Sequence, residues 1–220
     1  MPIQFHSAQL ALDLVGVFVF ALSGGLVAVK KRFDLFGVLS LALATGLGGG
    51  IVRDVLIGAV PPVGIGDWRL LTAAICGGLL TFIYHPGVER ITRLVIVLDA
   101  VGLAVFAVAG SLKALSLTNV PPTAAVLVGL MTAVGGGVIR DVLAGQVPEV
   151  LRRELYALPA LVGSTIVVVA AQLGSLTDWV LWSAVAFVFV VRIVAVRLDL
   201  SAPKPLGPGS FRGKKEASVR

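Results

Sequence analysis

The sequence predicts an all-α integral membrane protein with seven transmembrane helices, arranged as a 3+3 inverted repeat followed by a seventh helix. Composition is the first reason, because 57% of the 220 residues are hydrophobic, 14% are charged and the mean hydropathy is +1.00. These values lie outside the usual range of soluble domains. The second reason is a series of seven apolar runs, all but the short third one of membrane-spanning length. The third is a glycine-rich motif that occurs twice within those runs.

Each apolar run is interpreted as one helix, because crossing the hydrocarbon core takes roughly 20 apolar residues. The predicted spans cover residues 10–29, 35–60, 70–84, 94–112, 124–147, 155–173 and 180–196. The predicted units are an external amino terminus over 1–9, a first three-helix repeat over 10–84, a second, inverted repeat over 94–173, a seventh helix over 178–197 and a cytoplasmic tail over 198–220. The tail is rich in Pro, Gly, Lys and Arg, which is typical of a disordered segment.

The charged loops predict the orientation of the chain. When the loops are assigned to alternate sides, thirteen Lys and Arg residues fall on one face, and only Arg69 and Lys113 fall on the other. Basic loops face the cytoplasm in most membrane proteins. The amino terminus is therefore expected outside and the carboxyl terminus inside, where the basic tail can contact anionic membrane lipids.

The duplicated motif relates the second span to the fifth. It reads Gly-Gly-Gly-Ile-Val-Arg-Asp at 48–54 and Gly-Gly-Gly-Val-Ile-Arg-Asp at 135–141. The similarity extends to the first and fourth spans, where Asp13 and Asp99 begin matching segments eighty-six residues apart. Three spans per copy is an odd number, so the second copy enters the membrane from the opposite side. This predicts an inverted repeat.

The glycine triplets predict that the second and fifth helices are broken near their midpoints. Carbonyl groups freed at such breaks can replace the water around a cation. Inversion is expected to bring both breaks and both Arg-Asp pairs into one central region near the membrane midplane. The candidate pathway residues are Gly48, Gly49, Gly50, Arg53, Asp54, Gly135, Gly136, Gly137, Arg140 and Asp141.

Two structural alternatives to this interpretation stay open. Glycines also allow helices to pack closely through small-xxx-small contacts. Each Arg-Asp pair could be a buried ion pair that only fixes helix orientation. A functional role is favoured because charges are unfavourable in hydrocarbon, and two copies occur at matching depth.

Further polar residues extend the predicted pathway. Asp13 and Asp99 are placed in the first turns of their helices, where they line two vestibules that concentrate cations or simply stabilise the helix amino termini. Ser23, Thr45 and Thr132 are weaker pore candidates, because hydroxyls in membrane helices commonly bond their own backbone.

The remaining chemistry-bearing residues predict no enzyme. Cys76 is the only cysteine and is expected to pack in the core, and Arg192 is expected to extend to the membrane interface. His6 and His85 lack partners at metal-ligand spacing, and no catalytic set is evident. We therefore expect no catalytic residue, no metal, no cofactor and no nucleic-acid partner.

The two triplets, each followed by Arg-Asp, and the three-plus-three-plus-one arrangement resemble the trimeric intracellular cation (TRIC) channel family in its prokaryotic branch. The resemblance covers roughly residues 13–197. It implies a homotrimer in a bacterial inner membrane, in which each protomer has its own potassium-permeable pore lined by kinked second and fifth helices. Sodium permeation is compatible with the same pore.

A small-solute carrier is the alternative. The same prokaryotic families are also described as glycine transporters, and a three-plus-three inverted repeat with broken helices is equally the architecture of alternating-access carriers. A zwitterion would suit a site that combines half-helix ends with Arg and Asp.

Overall fold

The computed structural model describes residues 6–117, 119–152 and 155–198, so the first five residues and the predicted tail beyond Leu198 lie outside the described residues. The described part of the chain is all-helical. Its helices are α1 (His6–Lys30), α2 (Leu35–Leu56), α3 (Val63–Gly66), α4 (Trp68–Ile83), α5 (Val88–Leu115), α6 (Pro122–Leu143), α7 (Glu149–Arg152), α8 (Ala157–Gln172) and α9 (Asp178–Arg197).

Each of the seven predicted spans has a helix. Helices α1, α2, α5, α6 and α9 are long and apolar enough to cross a membrane, whereas α4 and α8 have 16 residues each. The largest differences from the predicted boundaries are at the starts of α1 and α5, which begin at His6 and Val88, and at the ends of α2 and α6, which stop at Leu56 and Leu143. The one-turn helices α3 and α7 are not predicted by the sequence, and they follow α2 and α6 at equivalent places.

The two motif helices end in the same way, two residues after the Arg-Asp pair. Gly58 and Gly145 have φ angles of 71° and 65°, which glycine adopts without strain. The Gly58 amide donates to the Val55 carbonyl at 3.2 Å, and the Gly145 amide donates to the Val142 carbonyl at 3.0 Å. Gly58 and Gly145, which follow the two motifs, therefore stop the helices four residues before the ends of the predicted spans.

The glycine triplets do not break their helices, which corrects the prediction. Helices α2 and α6 run through Gly48–Gly50 and Gly135–Gly137 without interruption. The two helices cross there instead: a Cβ atom on Gly49 would overlap the Thr132 carbonyl oxygen, and one on Gly136 would overlap the Thr45 carbonyl oxygen. These pairings run in opposite directions along the two helices, so the crossing is antiparallel. The glycines permit a backbone-to-backbone approach.

Helices α1 and α5 form the centre of the molecule. The rings of Phe20 and Phe106 lie 5.4 Å apart, and each ring occupies the space left by a glycine of the other helix, Gly102 and Gly16 respectively. Helix α1 also packs on α2 and α4, and α5 packs on α6, α8 and α9. The contacts of the first half therefore recur in the second.

The outer surface carries apolar side chains. Exposed residues on α4 and α9 include Ile83, Trp179 and Val190. Cys76 is also exposed, which corrects its predicted place in the core. An apolar outer surface is expected of a protein whose surroundings are lipid.

Candidate functional site

The first Arg-Asp pair is the centre of a buried ion cluster, the Arg53 cluster, formed by Arg53, Asp13, Asp54 and Lys113. Nη1 of Arg53 donates to Oδ1 of Asp13 at 2.7 Å, and Nε donates to Oδ1 of Asp54 at 2.8 Å. Arg53 is 1% exposed and Asp54 is fully buried. Because each carboxylate contacts the guanidinium directly, the positive charge is offset inside the protein.

Three further groups complete the Arg53 cluster. Nζ of Lys113 donates to Oδ1 of Asp54 at 2.6 Å, so this oxygen contacts two cations. The Val63 amide, at the start of α3, donates to Oδ2 of Asp54 at 2.8 Å. Nε2 of Gln9 donates to Oδ2 of Asp13 at 3.0 Å. Both oxygens of each carboxylate are thus hydrogen-bonded, as buried carboxylates require.

The second pair forms an equivalent cluster, the Arg140 cluster, of Arg140, Asp99, Asp141 and Tyr156. Arg140 donates from Nη1 to Oδ1 of Asp99 and from Nε to Oδ1 of Asp141, both at 2.9 Å. The Glu149 amide, at the start of α7, donates to Oδ2 of Asp141 at 3.0 Å. The unit of one arginine, two aspartates and one helix-start amide therefore occurs twice.

The other partners of the Arg140 cluster have no counterpart in the first. Nη1 of Arg140 also donates to Oγ of Ser23 at 2.7 Å, and the Tyr156 hydroxyl donates to Oδ1 of Asp99 at 3.1 Å. The guanidinium of Arg192 stacks 4.5 Å from the Tyr156 ring centre, and its Nη2 lies 4.0 Å from Oε2 of Glu149. Arg192 is buried in these contacts, which corrects its predicted place at the membrane interface.

The two clusters do not share one central region, which is a second correction. Gly49 lies against Gly135 where α2 and α6 cross. Arg53 follows the crossing by four residues and Arg140 by five, in opposite directions. At 1.5 Å per residue the two arginines are separated by about 13 Å along the helix axes. One cluster thus lies at each end of the glycine crossing.

A polar cavity of ≈ 160 Å³ opens beside the Arg140 cluster. Its wall includes the cluster residues Asp99, Arg140 and Asp141, together with Glu149 and Arg192. Its rim includes the exposed residues Lys30 and Arg152, and Val27 forms part of the apolar wall. The volume is large enough to hold several water molecules. Charged groups of both signs therefore line a space that small polar solutes can enter.

The further polar residues predicted for the pathway divide into two groups, the aspartates and the hydroxyl side chains. Asp13 and Asp99 lie well inside α1 and α5 rather than in their first turns, and each binds an arginine, so stabilisation of a helix start does not explain them. Thr45 and Thr132 donate to the Leu41 and Val128 carbonyls of their own helices at 2.6 Å. Of the three hydroxyl candidates, only Ser23 joins an ion cluster.

Lys113, Tyr156 and Glu149 belong to the site but are not predicted by the sequence. Lys113 reads as a loop cation, because the apolar run ends at residue 112, whereas α5 continues to Leu115. Tyr156 stands at the start of an apolar run without a repeated partner. Asp13 and Asp99 are eighty-six residues apart in the two repeats. Applying the same offset to each Lys and Arg would have shown that Lys113 has no matching cation in the other repeat, and this is the signal that could have identified it.

Comparison with known proteins identifies the family. A family model described as glycine transporter matches the chain twice, over residues 10–86 and 96–172. The UPF0126 inner membrane protein YadS of Escherichia coli K12 is 38% identical over 194 residues, which cover 87% of this chain and 93% of that protein. The TRIC trimeric intracellular cation channel orthologue from Rhodobacter sphaeroides superposes with a TM-score of 0.83 at 34% identity, over 89% of this chain and 100% of that chain. The chain belongs to the prokaryotic TRIC family.

A second solved TRIC cation channel, studied for its conductance, gives the same result, with a TM-score of 0.79, 37% identity and coverage of 89% of this chain and 96% of that chain. The TRIC family consists of membrane transport proteins and not of enzymes. The two segments matched by the family model each contain one Arg-Asp pair, at Arg53-Asp54 and at Arg140-Asp141. Within the described residues, no group of three or more His, Cys, Asp or Glu side chains could hold a metal ion.

Proposed function

We propose that this TRIC-family protein is a monovalent-cation channel with a potassium-permeable pathway inside each protomer. The observation that carries the proposal is the pair of buried ion clusters at the two ends of the α2–α6 crossing. Buried charged groups are unfavourable within a membrane. Two such clusters in line are therefore better explained by a route for ions than by a role in packing alone.

The proposed route begins in the cavity beside Arg140, passes between α2 and α6 at the glycines and leaves past Arg53. A Cβ atom would not fit between the helices at Gly49 or Gly136. The pathway is therefore narrowest at the crossing. Opening requires α2 and α6 to separate there, and the glycines permit small helix shifts because they have no side chains to interlock.

Within this route, the aspartates offset the positive charge of the arginines. Each guanidinium contacts two carboxylates. A cation can then pass without facing an uncompensated positive charge, and carboxylate oxygens replace part of its water shell. In this proposal the arginines hold the carboxylates in place.

Assembly and location follow the relatives. The Rhodobacter sphaeroides protein is described as trimeric and YadS as an inner membrane protein. We infer a homotrimer in a bacterial inner membrane, with three separate pathways. The basic loops at 30–32 and 90–93 are inferred to face the cytoplasm, together with the Arg140 cavity, which Lys30 borders.

The test is a planar-bilayer recording of the purified protein under a potassium gradient, repeated after glycine is added to one side. Discrete, cation-selective current steps that are indifferent to glycine are expected. Silent bilayers, recorded with protein whose assembly is verified by gel filtration, would contradict the channel.

A glycine-type secondary transporter is the second candidate. Two observations favour it: the description of the matching family model, and the mixed charge of the cavity, where Arg140 could bind a carboxylate while Asp141 or Glu149 binds an ammonium group. Saturable uptake of labelled glycine by liposomes whose matched bilayers stay silent would favour the carrier. Conducting bilayers without saturable uptake would exclude it.

A further inference from the structure

The aspartates of α1 and α5 differ in how their second carboxylate oxygens are bound. Nε2 of Gln9 donates to Oδ2 of Asp13 at 3.0 Å. In the other cluster both donors, Nη1 of Arg140 and the Tyr156 hydroxyl, bind Oδ1 of Asp99. Among the residues that the structure describes, none donates to Oδ2 of Asp99. Asp99 is only 3% exposed, so this oxygen is a polar atom within the protein that has room for a ligand.

One substitution between the repeats accounts for the free oxygen. Gln9 stands one helical turn before Asp13 on α1, a spacing at which Gln and Asp side chains meet. The offset that relates Asp13 to Asp99 relates Gln9 to Val95, which stands one turn before Asp99 on α5. Val95 has no side-chain donor, and it lines the Arg140 cavity together with Asp99. Because Oδ1 is held inside the protein, Oδ2 is the oxygen of Asp99 that a solute in the cavity can contact.

The net charge of the cavity wall does not attract cations. Its charged side chains are four cations and three carboxylates, namely Lys30, Arg140, Arg152, Arg192, Asp99, Asp141 and Glu149. Arg140 is bound by two of these carboxylates, and Lys30 donates to Oγ1 of Thr92 at 2.9 Å on the rim. A cation that binds in this cavity therefore depends on direct contact with one oxygen. A carboxylate oxygen can take the place of a water molecule in the shell of such an ion.

We propose that Oδ2 of Asp99 is a ligand of the permeant cation, and that Asp13 is not a ligand because Gln9 occupies the corresponding oxygen. This inference rests on the proposed cation channel and names the residue that binds the ion at the Arg140 end. Arg140 and Tyr156 act as positioning residues, since they hold Oδ1 and so fix the direction of Oδ2. The cation loses part of its water shell at this oxygen before it reaches the glycine crossing.

The experiment combines crystals grown in rubidium chloride, where rubidium replaces potassium and is located by its anomalous scattering, with bilayer recordings in potassium chloride. The wild type should show a rubidium peak in contact with Oδ2 of Asp99. Val95→Gln supplies the amide that Gln9 supplies in the first cluster. In this variant the peak should be lost and single-channel conductance should fall about twofold. Val95→Met has a side chain of similar length without a donor, so it should keep the peak.

Each contrary result has a separate meaning. A conducting wild type without a rubidium peak at Asp99 would overturn this inference and leave the proposed channel intact, and that comparison needs no variant to fold. Equal loss of the peak in Val95→Gln and Val95→Met would overturn it too, because the peak would then depend on space rather than on the free oxygen. If conductance is equal in the two variants although only Val95→Gln loses the peak, the bound ion is not on the pathway and the inference is wrong. A silent wild type would refute the channel itself, and the inference with it.

Discussion

The Arg53 and Arg140 clusters are two versions of one arrangement within the same chain. Both hold an arginine between two aspartates, and both bind the second aspartate to the amide that starts a one-turn helix. They differ in every other partner: Gln9 and Lys113 complete the first, whereas Ser23 and Tyr156 complete the second. The shared part is the unit that both halves of the fold build. The differing part places a lysine in the first cluster and a tyrosine in the second.

The largest expected effect is loss of either arginine. Arg53→Ala or Arg140→Ala leaves two buried aspartates without their main partner, which costs about 3–5 kcal/mol. We expect Arg140→Ala to lower the melting temperature in detergent more than Arg53→Ala does, because Lys113 still binds Asp54 in the first cluster. Tryptophan fluorescence during heating measures this.

Arg69 provides the control for both variants. Its side chain is 47% exposed and pairs with Asp67 at the surface, so Arg69→Ala should change the melting temperature little. Equal stability of all three variants would mean that the clusters are not held together by their charges.

The next effect concerns the centre of the crossing, where the two halves are alike. Gly49→Ala and Gly136→Ala each place a Cβ atom against a carbonyl oxygen of the facing helix. Each should cost about 1–3 kcal/mol and reduce potassium flux, because the helices must move apart. Melting temperature and liposomal potassium efflux measure the two consequences. Gly87→Ala is the control, since nothing lies within 4 Å of its added Cβ. Wild-type flux in both crossing variants would remove the crossing from the pathway.

The third prediction concerns the last glycine of each triplet, where the halves differ. A Cβ on Gly137 would lie 2.8 Å from the Tyr156 hydroxyl and 3.2 Å from Asp99, whereas a Cβ on Gly50 would meet only Arg53, at 3.8 Å. Gly137→Ala should therefore disturb its cluster, at about 1–3 kcal/mol. Gly50→Ala should be neutral, or stabilising by about 0.5–1 kcal/mol through helix propensity.

The same variants separate close packing from hinge flexibility. Alanine stiffens a helix equally at Gly49 and at Gly50, but only Gly49 contacts the facing backbone. If potassium flux falls equally in Gly49→Ala and Gly50→Ala, helix flexibility is what the triplet supplies and the packing interpretation is wrong.

The sequence predicts much of this fold, because membrane-spanning helices follow from apolar runs that local composition reveals. Each predicted span has a helix, and the motif pairs identified the residues at the centre of each cluster. The wrong predictions depended on contacts between distant segments. A triplet such as Gly48–Gly50 is compatible with a broken helix or with a close crossing, and only the position of α6 distinguishes the two.

The partners of the clusters were hidden for the same reason. Arg192 is buried because Tyr156 and Glu149, from two other parts of the chain, lie against it. Asp13 and Asp99 look like helix-start residues until the helices are seen to extend further. Hydropathy carries no information on these three-dimensional neighbours.

Cysteine accessibility at Gly50 tests the route through the protomer most directly. Cys76 is the only cysteine and is replaceable by alanine on the exposed surface. In that background, Gly50→Cys adds a thiol beside Arg53, next to the crossing. During a single-channel recording, a cationic methanethiosulfonate reagent added in water should react there and lower the potassium current. The wild-type protein, in which Cys76 is present and position 50 is glycine, should keep its full current under the same reagent. Complete labelling at position 50 with an unchanged current would contradict a pathway between α2 and α6.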